Sequence, residues 1–281
     1  MRRSPEGGAM GQPRPRPDPE LHYTMPPIVG HRPASEGTWY RDVTTIGVTY
    51  LAPADKVARL LPDGFEVGAE PLHEPLVSVF YSRNRGVDWL AGGGYNLVGV
   101  NVAATFHGEV DHVSGSYCVI MWEDRTEPIL GGREQAGIPK VYADITDLMQ
   151  RDGHLLARAS LNGHPIVEVE VWDLQPLPPA ETAAYQERAR RGNWMGYRYI
   201  PRLGGPGAEL AQPTLYPSEP EYDLVQTGQG RVRFFPSTFA DNPTQHAIIN
   251  LLCELEPLEY RGAYYSHGRS RLLVGRVRAL R

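Results

Sequence analysis

The chain has 281 residues, a formal net charge of −5, and a hydrophobic fraction of 41%. Its length allows one large domain or two, and its apolar content is sufficient for a substantial core. A nearly neutral chain lacks the basic excess of a nucleic-acid-binding protein, so we expect no nucleic-acid partner. No apolar run approaches membrane-spanning length, so we expect no membrane partner either.

The first 21 residues are rich in proline, glycine and arginine and lack an apolar targeting core. This composition predicts a disordered tail over residues 1–21, followed by one domain over residues 22–281. Cys118 and Cys253 both lie in apolar runs. Two cysteines without a signal peptide indicate thiols in a reducing compartment, and we therefore expect a cytoplasmic protein.

Apolar and β-branched runs separated by glycine, proline or aspartate predict a protein made mostly of strands. In chain order, the predicted strands cover residues 43–50, 76–81, 97–105, 117–122, 155–159, 166–171 and 272–277. Helices are predicted at 54–61, 144–151 and 180–190. Because so many strands need their edges covered, we expect a mostly β (α+β) single domain built on a closed or nearly closed antiparallel barrel with a few short helices.

The chain contains only two lysines, Lys56 and Lys140, against 26 arginines, since lysine and arginine together number 28. An amine can lose its proton and attack a carbonyl, which a guanidinium cannot do. Lys56 precedes the apolar stripe of a short predicted helix and is expected to be a surface charge. Lys140 follows Pro139, which restricts the backbone, and precedes an apolar run over 141–145. Because burial disfavours a charged amine, Lys140 is the predicted nucleophile.

The segment around this lysine resembles a known active-site signature. Arg133-Glu134, four further residues and then Pro139-Lys140 are similar to the motif of the acetoacetate decarboxylase superfamily, whose lysine forms a Schiff base with a keto acid. Acetoacetate decarboxylase is itself a standard example of an activated lysine. Glu127-Pro128, residues 193–201 and Ser266-His267 resemble family segments in the same order, so the resemblance covers about residues 22–281.

The resemblance implies a cone-shaped barrel with the lysine inside, a homo-oligomer and a small-molecule keto acid as substrate. We expect no cofactor and no metal. The segment from His107 to His112 contains four potential metal ligands, but strand alternation would place them on both faces of a predicted loop, which disfavours a metal site.

Two departures from the family pattern bear on the reaction. The decarboxylases carry a second lysine directly after the first, whereas this chain has Val141. They also carry an acidic residue in the strand that aligns loosely with residues 95–99, where this chain has no carboxylate. Superfamily members that carry out aldol condensation with dehydration, or deamination with cyclisation, are therefore the better comparison.

The leading hypothesis is a Schiff-base lyase that acts on a 2-keto or β-keto acid through Lys140, by aldol condensation with dehydration or by a related cyclisation. In the condensation an aldehyde is the second carbonyl partner. Arg133 would bind the substrate carboxylate, Glu134 would order the lysine or move protons, and Gln135 or a tyrosine would hold the departing hydroxyl. Strand alternation would place Arg133 and Gln135 on one face and Glu134 on the other.

Near the carboxyl end, Tyr264 and Tyr265 are candidates for a general acid or base beside the Schiff base. Consecutive strand residues face opposite ways, so at most one of them faces the site. We slightly favour Tyr265 as catalytic and assign Tyr264 to substrate binding. Two alternatives remain: true decarboxylation, with Arg133 as the cationic neighbour, and a barrel that binds or cyclises its ligand without a covalent bond.

Overall fold

The computed structural model describes Asp18 and residues 21–23, 31–32 and 37–281. The chain separates into two units, residues 1–35 and residues 36–281. In the first unit, β1 (His22–Tyr23) pairs with β2 (His31–Arg32) in antiparallel orientation. Most of the tail predicted over residues 1–21 lies outside the described residues.

The second unit contains one sheet of 15 strands. Its strands are β3 (Thr38–Leu51), β4 (Phe65–Val67), β5 (Leu76–Val87), β6 (Tyr95–His107), β7 (His112–Glu123), β8 (Lys140–Tyr142), β9 (Asp144–Ile145), β10 (Met149–Arg151), β11 (His154–Leu161), β12 (His164–Pro176), β13 (Trp194–Pro201), β14 (Ala208–Leu215), β15 (Ser218–Phe234), β16 (Glu259–Leu272) and β17 (Arg278–Ala279).

Four α-helices accompany the sheet in the described part of the chain: α1 (Ala54–Ala58), α2 (Thr126–Gly131), α3 (Pro179–Arg191) and α4 (His246–Cys253). Single turns of 3-10 helix occur at Asp88–Leu90 and Val274–Arg276, and a π-helical turn covers Gly132–Ala136. The prediction of a mostly β protein with a few short helices is confirmed.

Two predicted elements are wrong. The helix expected at 144–151 is instead the pair of short strands β9 and β10, which both hydrogen-bond to β11. Pairing with a long neighbouring strand outweighs the helical spacing of the apolar residues there. The strand expected at 272–277 is also wrong, because β16 ends at Leu272 and a 3-10 turn follows it.

The sheet runs in the order β10-β11-β12-β15-β16-β3-β5-β6-β7-β13-β14-β17. Most neighbouring strands are antiparallel, but β8 and β13 both pair with β7 in parallel. Hydrogen bonds between the described strands do not close this sheet into a ring. The closed antiparallel barrel is therefore not confirmed, although the chain passes from β14 to β15 through only Tyr216 and Pro217.

The two faces of the central strands have different surroundings. Ile46, Val48, Val79 and Val100 lie on the face that forms the main core, which also includes Ile249 of α4. Nearly every residue of β6 is buried, as expected for a strand that is covered on both faces. The opposite face of the same strands therefore lies against a second buried region, where the cavity is found.

One row of residues crosses that opposite face from β16 to β8. In strand order, the paired residues are Tyr264, Gly47, Phe80, Gly99, Met121 and Lys140. Paired residues point to the same face of a sheet. A methyl group on Gly47 would overlap the ring of Tyr264, and one on Gly99 would overlap the ring of Phe80. The two rings thus lie over the neighbouring strands and form part of the cavity floor.

Candidate active site

A cavity of about 490 Å³ lies on this face of the sheet. Strands β3, β5, β15 and β16 contribute alternate residues to its wall, as strand geometry requires. On β5 these are Phe80, Ser82 and Asn84, and on β16 they include Tyr264 and Ser266. Helix α3 contributes Tyr185, Arg188 and Ala189 to the lining. Eight of the 25 lining residues are aromatic, and several others carry small hydroxyl groups.

Lys140, the first residue of β8, lines this cavity and is only 6% exposed. Its Nζ lies 2.7 Å from Oε1 of Glu123 and donates a hydrogen bond of 3.2 Å to the carbonyl oxygen of Pro128. Lys56, by contrast, forms a partly exposed ion pair with Glu254 on the surface. The two lysines therefore occupy the different environments predicted from their sequence neighbours.

Glu123, the last residue of β7, is fully buried. Neither of its carboxyl oxygens has a hydrogen bond of good geometry among the described residues, so the 2.7 Å contact with Lys140 is an ion pair. Burial raises the pKa of the Glu123 carboxyl, and the neighbouring Lys140 ammonium acts in the opposite direction more weakly. Two charges are thus held together away from water, with few other groups to stabilise either one.

The register of β7 and β8 explains why these two side chains meet. Met121 pairs with Lys140, and Glu123 pairs with Tyr142, in a parallel ladder. Met121, Glu123 and Lys140 therefore lie on one face of adjacent strands, with Glu123 diagonal to the lysine.

The segment between β7 and β8 holds the lysine side chain in place. A methyl group on Gly132 would overlap Cδ and Cε of Lys140, so the helical backbone packs directly against the lysine stem. Gly137 adopts a left-handed conformation (φ 69°) that ends the π-helical turn, which glycine tolerates without strain. The turn and Pro139 thus return the chain to the sheet at Lys140.

The structure places the other predicted residues of this segment outside the described cavity wall. Arg133 and Gln135 are exposed and Glu134 is half-buried. The Arg133 guanidinium donates a hydrogen bond of 2.9 Å to the carbonyl oxygen of Lys140. The predicted alternation of the three side chains is wrong because they lie on a helical turn rather than a strand.

Tyr264 and Tyr265 face opposite sides of β16, as strand geometry requires. Tyr264 lines the cavity, whereas Tyr265 packs against the main core. Our slight preference for Tyr265 as the residue facing the site is therefore corrected in favour of Tyr264. Burial raises the pKa of the Tyr264 phenol well above its usual value, so this phenol is neutral near pH 7.

Sequence reasoning missed Glu123, which lies one residue beyond the strand predicted over 117–122. Glu123 lies two residues after Met121, so both side chains point to the same face of β7 once the strand is extended to Glu123. This spacing is the signal that could have identified it.

Other titratable groups near the pair are Cys118, Tyr95 and Asp124. Burial raises the pKa of the Cys118 thiol to about 12 and that of the Tyr95 phenol well above its usual value. Burial also raises the pKa of the half-buried Asp124 carboxyl. Cys118 and Tyr95 therefore stay neutral, and Glu123 is the acid in contact with the amine.

The segment from His107 to His112 forms surface pairs. His107 lies 3.2 Å from Glu66, and His112 lies 3.4 Å from Glu70. Within the described ranges, no group of three His, Cys, Asp or Glu side chains is arranged to hold a metal ion. Cys118 and Cys253 are both free.

No helix in the described part of the chain has the length and apolar character needed to cross a membrane.

The site is defined by a lysine buried against a carboxylate, in the wall of a cavity on a mostly antiparallel sheet. The family model for acetoacetate decarboxylase matches residues 24–279. The chain therefore belongs to the acetoacetate decarboxylase family, as the lysine motif predicted.

Individual relatives agree with this assignment. The acetoacetate decarboxylase of Ralstonia nicotianae is 28% identical over 165 residues, or 59% of this chain and 61% of that protein. The one from Paraburkholderia phytofirmans is 34% identical over 97 residues, or 34% of each chain. These matches span less than two thirds of the relatives' own length.

Solved structures share the fold across nearly the whole chain. Acetoacetate decarboxylase from Legionella pneumophila matches with a TM-score of 0.69 and 20% identity, covering 89% of this chain and 88% of that chain. The enduracididine biosynthesis enzyme MppR, complexed with the condensation product of pyruvate and imidazole 4-carboxaldehyde, matches with a TM-score of 0.65 and 20% identity, covering 92% of this chain and 95% of that chain.

The packing of Gly132 against the lysine stem yields a testable prediction. In Gly132→Ala the added methyl group must displace the Lys140 side chain, because a flexible side chain moves more readily than the sheet. We expect the amine to lose its contact with Glu123. The rate at which borohydride traps pyruvate on Lys140 should then fall at least about tenfold, while the midpoint of thermal unfolding moves by only a few degrees. Gly131→Ala is the matched control, since no atom lies within 4 Å of its added methyl group. Equal reactivity of the two variants would show that Gly132 does not position the amine.

Proposed function

We propose that this protein is a lyase that forms a Schiff base between Lys140 and a keto acid. The observation that carries the proposal is the 2.7 Å contact of a buried lysine amine with a fully buried carboxylate, at the wall of a cavity. Relatives named acetoacetate decarboxylase support a lysine-dependent reaction of this class.

The Lys140–Glu123 pair can produce a free amine without exchanging a proton with solvent. An ammonium beside a carboxylate contains the same number of protons as an amine beside a carboxylic acid. Burial disfavours the two separate charges, and the raised pKa of Glu123 favours its acid form. Proton transfer from Nζ to Oε1 across 2.7 Å therefore leaves a neutral amine inside the cavity.

The same carboxyl group serves the next two steps. The amine attacks the ketone carbon, and a proton moves from nitrogen to the developing alkoxide to give a carbinolamine. Glu123 then donates its proton to the hydroxyl, water leaves, and the resulting iminium is paired with the Glu123 carboxylate. Proton transfers of this kind by a positioned side chain contribute typically about 10²–10⁴-fold to a rate.

The fate of the iminium decides the reaction, and we propose aldol condensation followed by loss of water. A β-keto acid reaches the enamine by releasing carbon dioxide and needs no base, whereas pyruvate must lose a proton from its methyl group. Glu123 is a base in contact with the reacting nitrogen. The enamine carbon can then add to an aldehyde, the second carbonyl partner. The MppR complex with a condensation product of pyruvate supports this comparison.

The positions of the other candidates suggest supporting roles. We propose that Arg133 fixes the backbone of Lys140 through its bond to the carbonyl oxygen, and that Glu134 and Gln135 act from outside the described cavity wall. Tyr264 and the neighbouring hydroxyl groups would contact the substrate directly, because they line the cavity.

Reductive trapping tests the covalent step. Incubation with pyruvate and then borohydride should add the reduced substrate mass to the peptide containing Lys140. Lys140→Arg keeps the positive charge but cannot form an imine, so it should show no label while remaining folded. A label on Lys56, or none with either pyruvate or acetoacetate, would contradict the proposal and favour a barrel that binds its ligand without a covalent bond.

Glu123→Gln tests the internal proton transfer. The amide has the same shape but cannot accept the lysine proton, so imine formation at pH 7 should fall by about 10²–10⁴-fold. Glu127→Gln is the control, since Glu127 is exposed and pairs with Arg125 at 2.9 Å. A rate for Glu123→Gln that matches the control at every pH would eliminate Glu123 from the mechanism.

The rates of aldol condensation and of decarboxylation can be compared on the same protein preparation. Enone formation from pyruvate and an aromatic aldehyde should proceed faster than release of carbon dioxide from acetoacetate. Val141 lies on the opposite face of β8 from Lys140 and packs against the main core, so it offers no cationic neighbour to the amine. Rapid carbon dioxide release by the unmodified protein, with no condensation product, would identify it as a decarboxylase instead.

A further inference from the structure

The cavity is much larger than the small keto acids of the proposed reaction. Its volume is about 490 Å³. With roughly 30 Å³ for each molecule of liquid water, this space equals about 16 waters, whereas pyruvate and acetoacetate have only about six or seven non-hydrogen atoms. Cavities of roughly 300–1,000 Å³ hold drug-sized ligands. A small keto acid would therefore leave most of the cavity empty.

The part of the wall under α3 consists of three tyrosine rings. Tyr185 of α3 lies 5.4 Å from Tyr222 and 6.2 Å from Tyr264, measured between ring centroids. Burial raises the pKa of Tyr185 to about 12 and raises those of Tyr222 and Tyr264 as well, so all three phenols are neutral. Neutral aromatic surfaces of this kind favour another ring in edge-to-face or offset contact.

Arg188 adds a positive charge beside these rings. Its guanidinium lies 5.8 Å from the ring centroid of Tyr185, and it also lines the cavity. Among the described residues Arg188 forms no ion pair, whereas Arg190 lies 3.7 Å from Glu221 and Arg191 lies 2.6 Å from Glu187. Arg269, which also lines the cavity, pairs with Glu221. The Arg188 guanidinium can therefore donate hydrogen bonds to a ligand carboxylate, because no acidic side chain among the described residues pairs with it.

We propose that the substrate is a ring-bearing keto acid, with its ring against Tyr185, Tyr222 and Tyr264 and its carboxylate on Arg188, while its ketone reacts with Lys140. This inference rests on the proposed function for the ketone, but the contacts of the ring and the carboxylate do not require the covalent bond.

Pyruvate and phenylpyruvate form a matched pair for the test, because they differ only by the ring. Reductive trapping on Lys140 should half-saturate at a phenylpyruvate concentration at least about tenfold below that for pyruvate, a difference of about 1.4 kcal/mol. Equal half-saturation, or a lower value for pyruvate, would overturn the ring assignment and leave the Schiff-base function intact.

Arg188→Gln tests the carboxylate contact. Half-saturation for phenylpyruvate should rise about tenfold, with the maximal trapping rate retained, because the variant changes binding rather than the amine. Arg191→Gln is the control on the same helix, since Arg191 pairs with Glu187 and does not line the cavity. Identical half-saturation in the two variants would remove Arg188 from the site.

Calorimetry on Lys140→Ala separates this inference from the proposed function. The variant cannot form an imine, yet it should bind phenylpyruvate at least about tenfold more tightly than pyruvate. If neither acid labels the unmodified protein, the Schiff-base function is wrong and the calorimetric comparison still decides the ligand class. Equal affinities for the two acids would then overturn the ring-bearing substrate as well.

Discussion

The candidate site depends on one interaction, the contact that holds the Lys140 amine and the Glu123 carboxylate together out of water. Removing such ions from water costs roughly several kcal/mol for each, and their mutual attraction offsets this only with good geometry and further hydrogen bonds. Here the amine has one additional acceptor, the Pro128 carbonyl oxygen, and Oε2 of Glu123 has no partner among the described residues. A pair so sparsely supported adds little to stability, and chemical use is the better explanation for its presence.

The parallel pairing of β7 with β8 is the constraint that brings the two groups together. Parallel strands need a crossover connection, and here α2 and the π-helical turn supply it between Glu123 and Lys140. The crossover also provides the Pro128 carbonyl oxygen and packs Gly132 against the lysine stem. One segment therefore sets the position of the amine, one of its acceptors and the space around it.

The sequence contained enough information to locate the lysine and six of the fifteen strands of the main sheet, because apolar alternation and residue type report burial directly. It did not reveal which strand residues share a face. Register shifts in β16, between Tyr260 and Gly262 and between Gly268 and Ser270, change the pairing of this strand in ways that residue type does not encode. Alternation correctly placed Tyr264 and Tyr265 on opposite faces but could not say which of the two faces the cavity. Glu123 was missed because β7 extends one residue beyond the predicted strand.

Reactivity and ligand selection reside in different parts of the fold. The reacting pair lies on β7 and β8, whereas the tyrosine rings and Arg188 lie on α3, β15 and β16. On the floor between them, Gly47 and Gly99 leave room for the rings of Tyr264 and Phe80. Larger residues at these two positions would lift the rings and reduce the cavity without touching the lysine. The size and lining of the cavity can therefore change without altering the residues that hold Lys140.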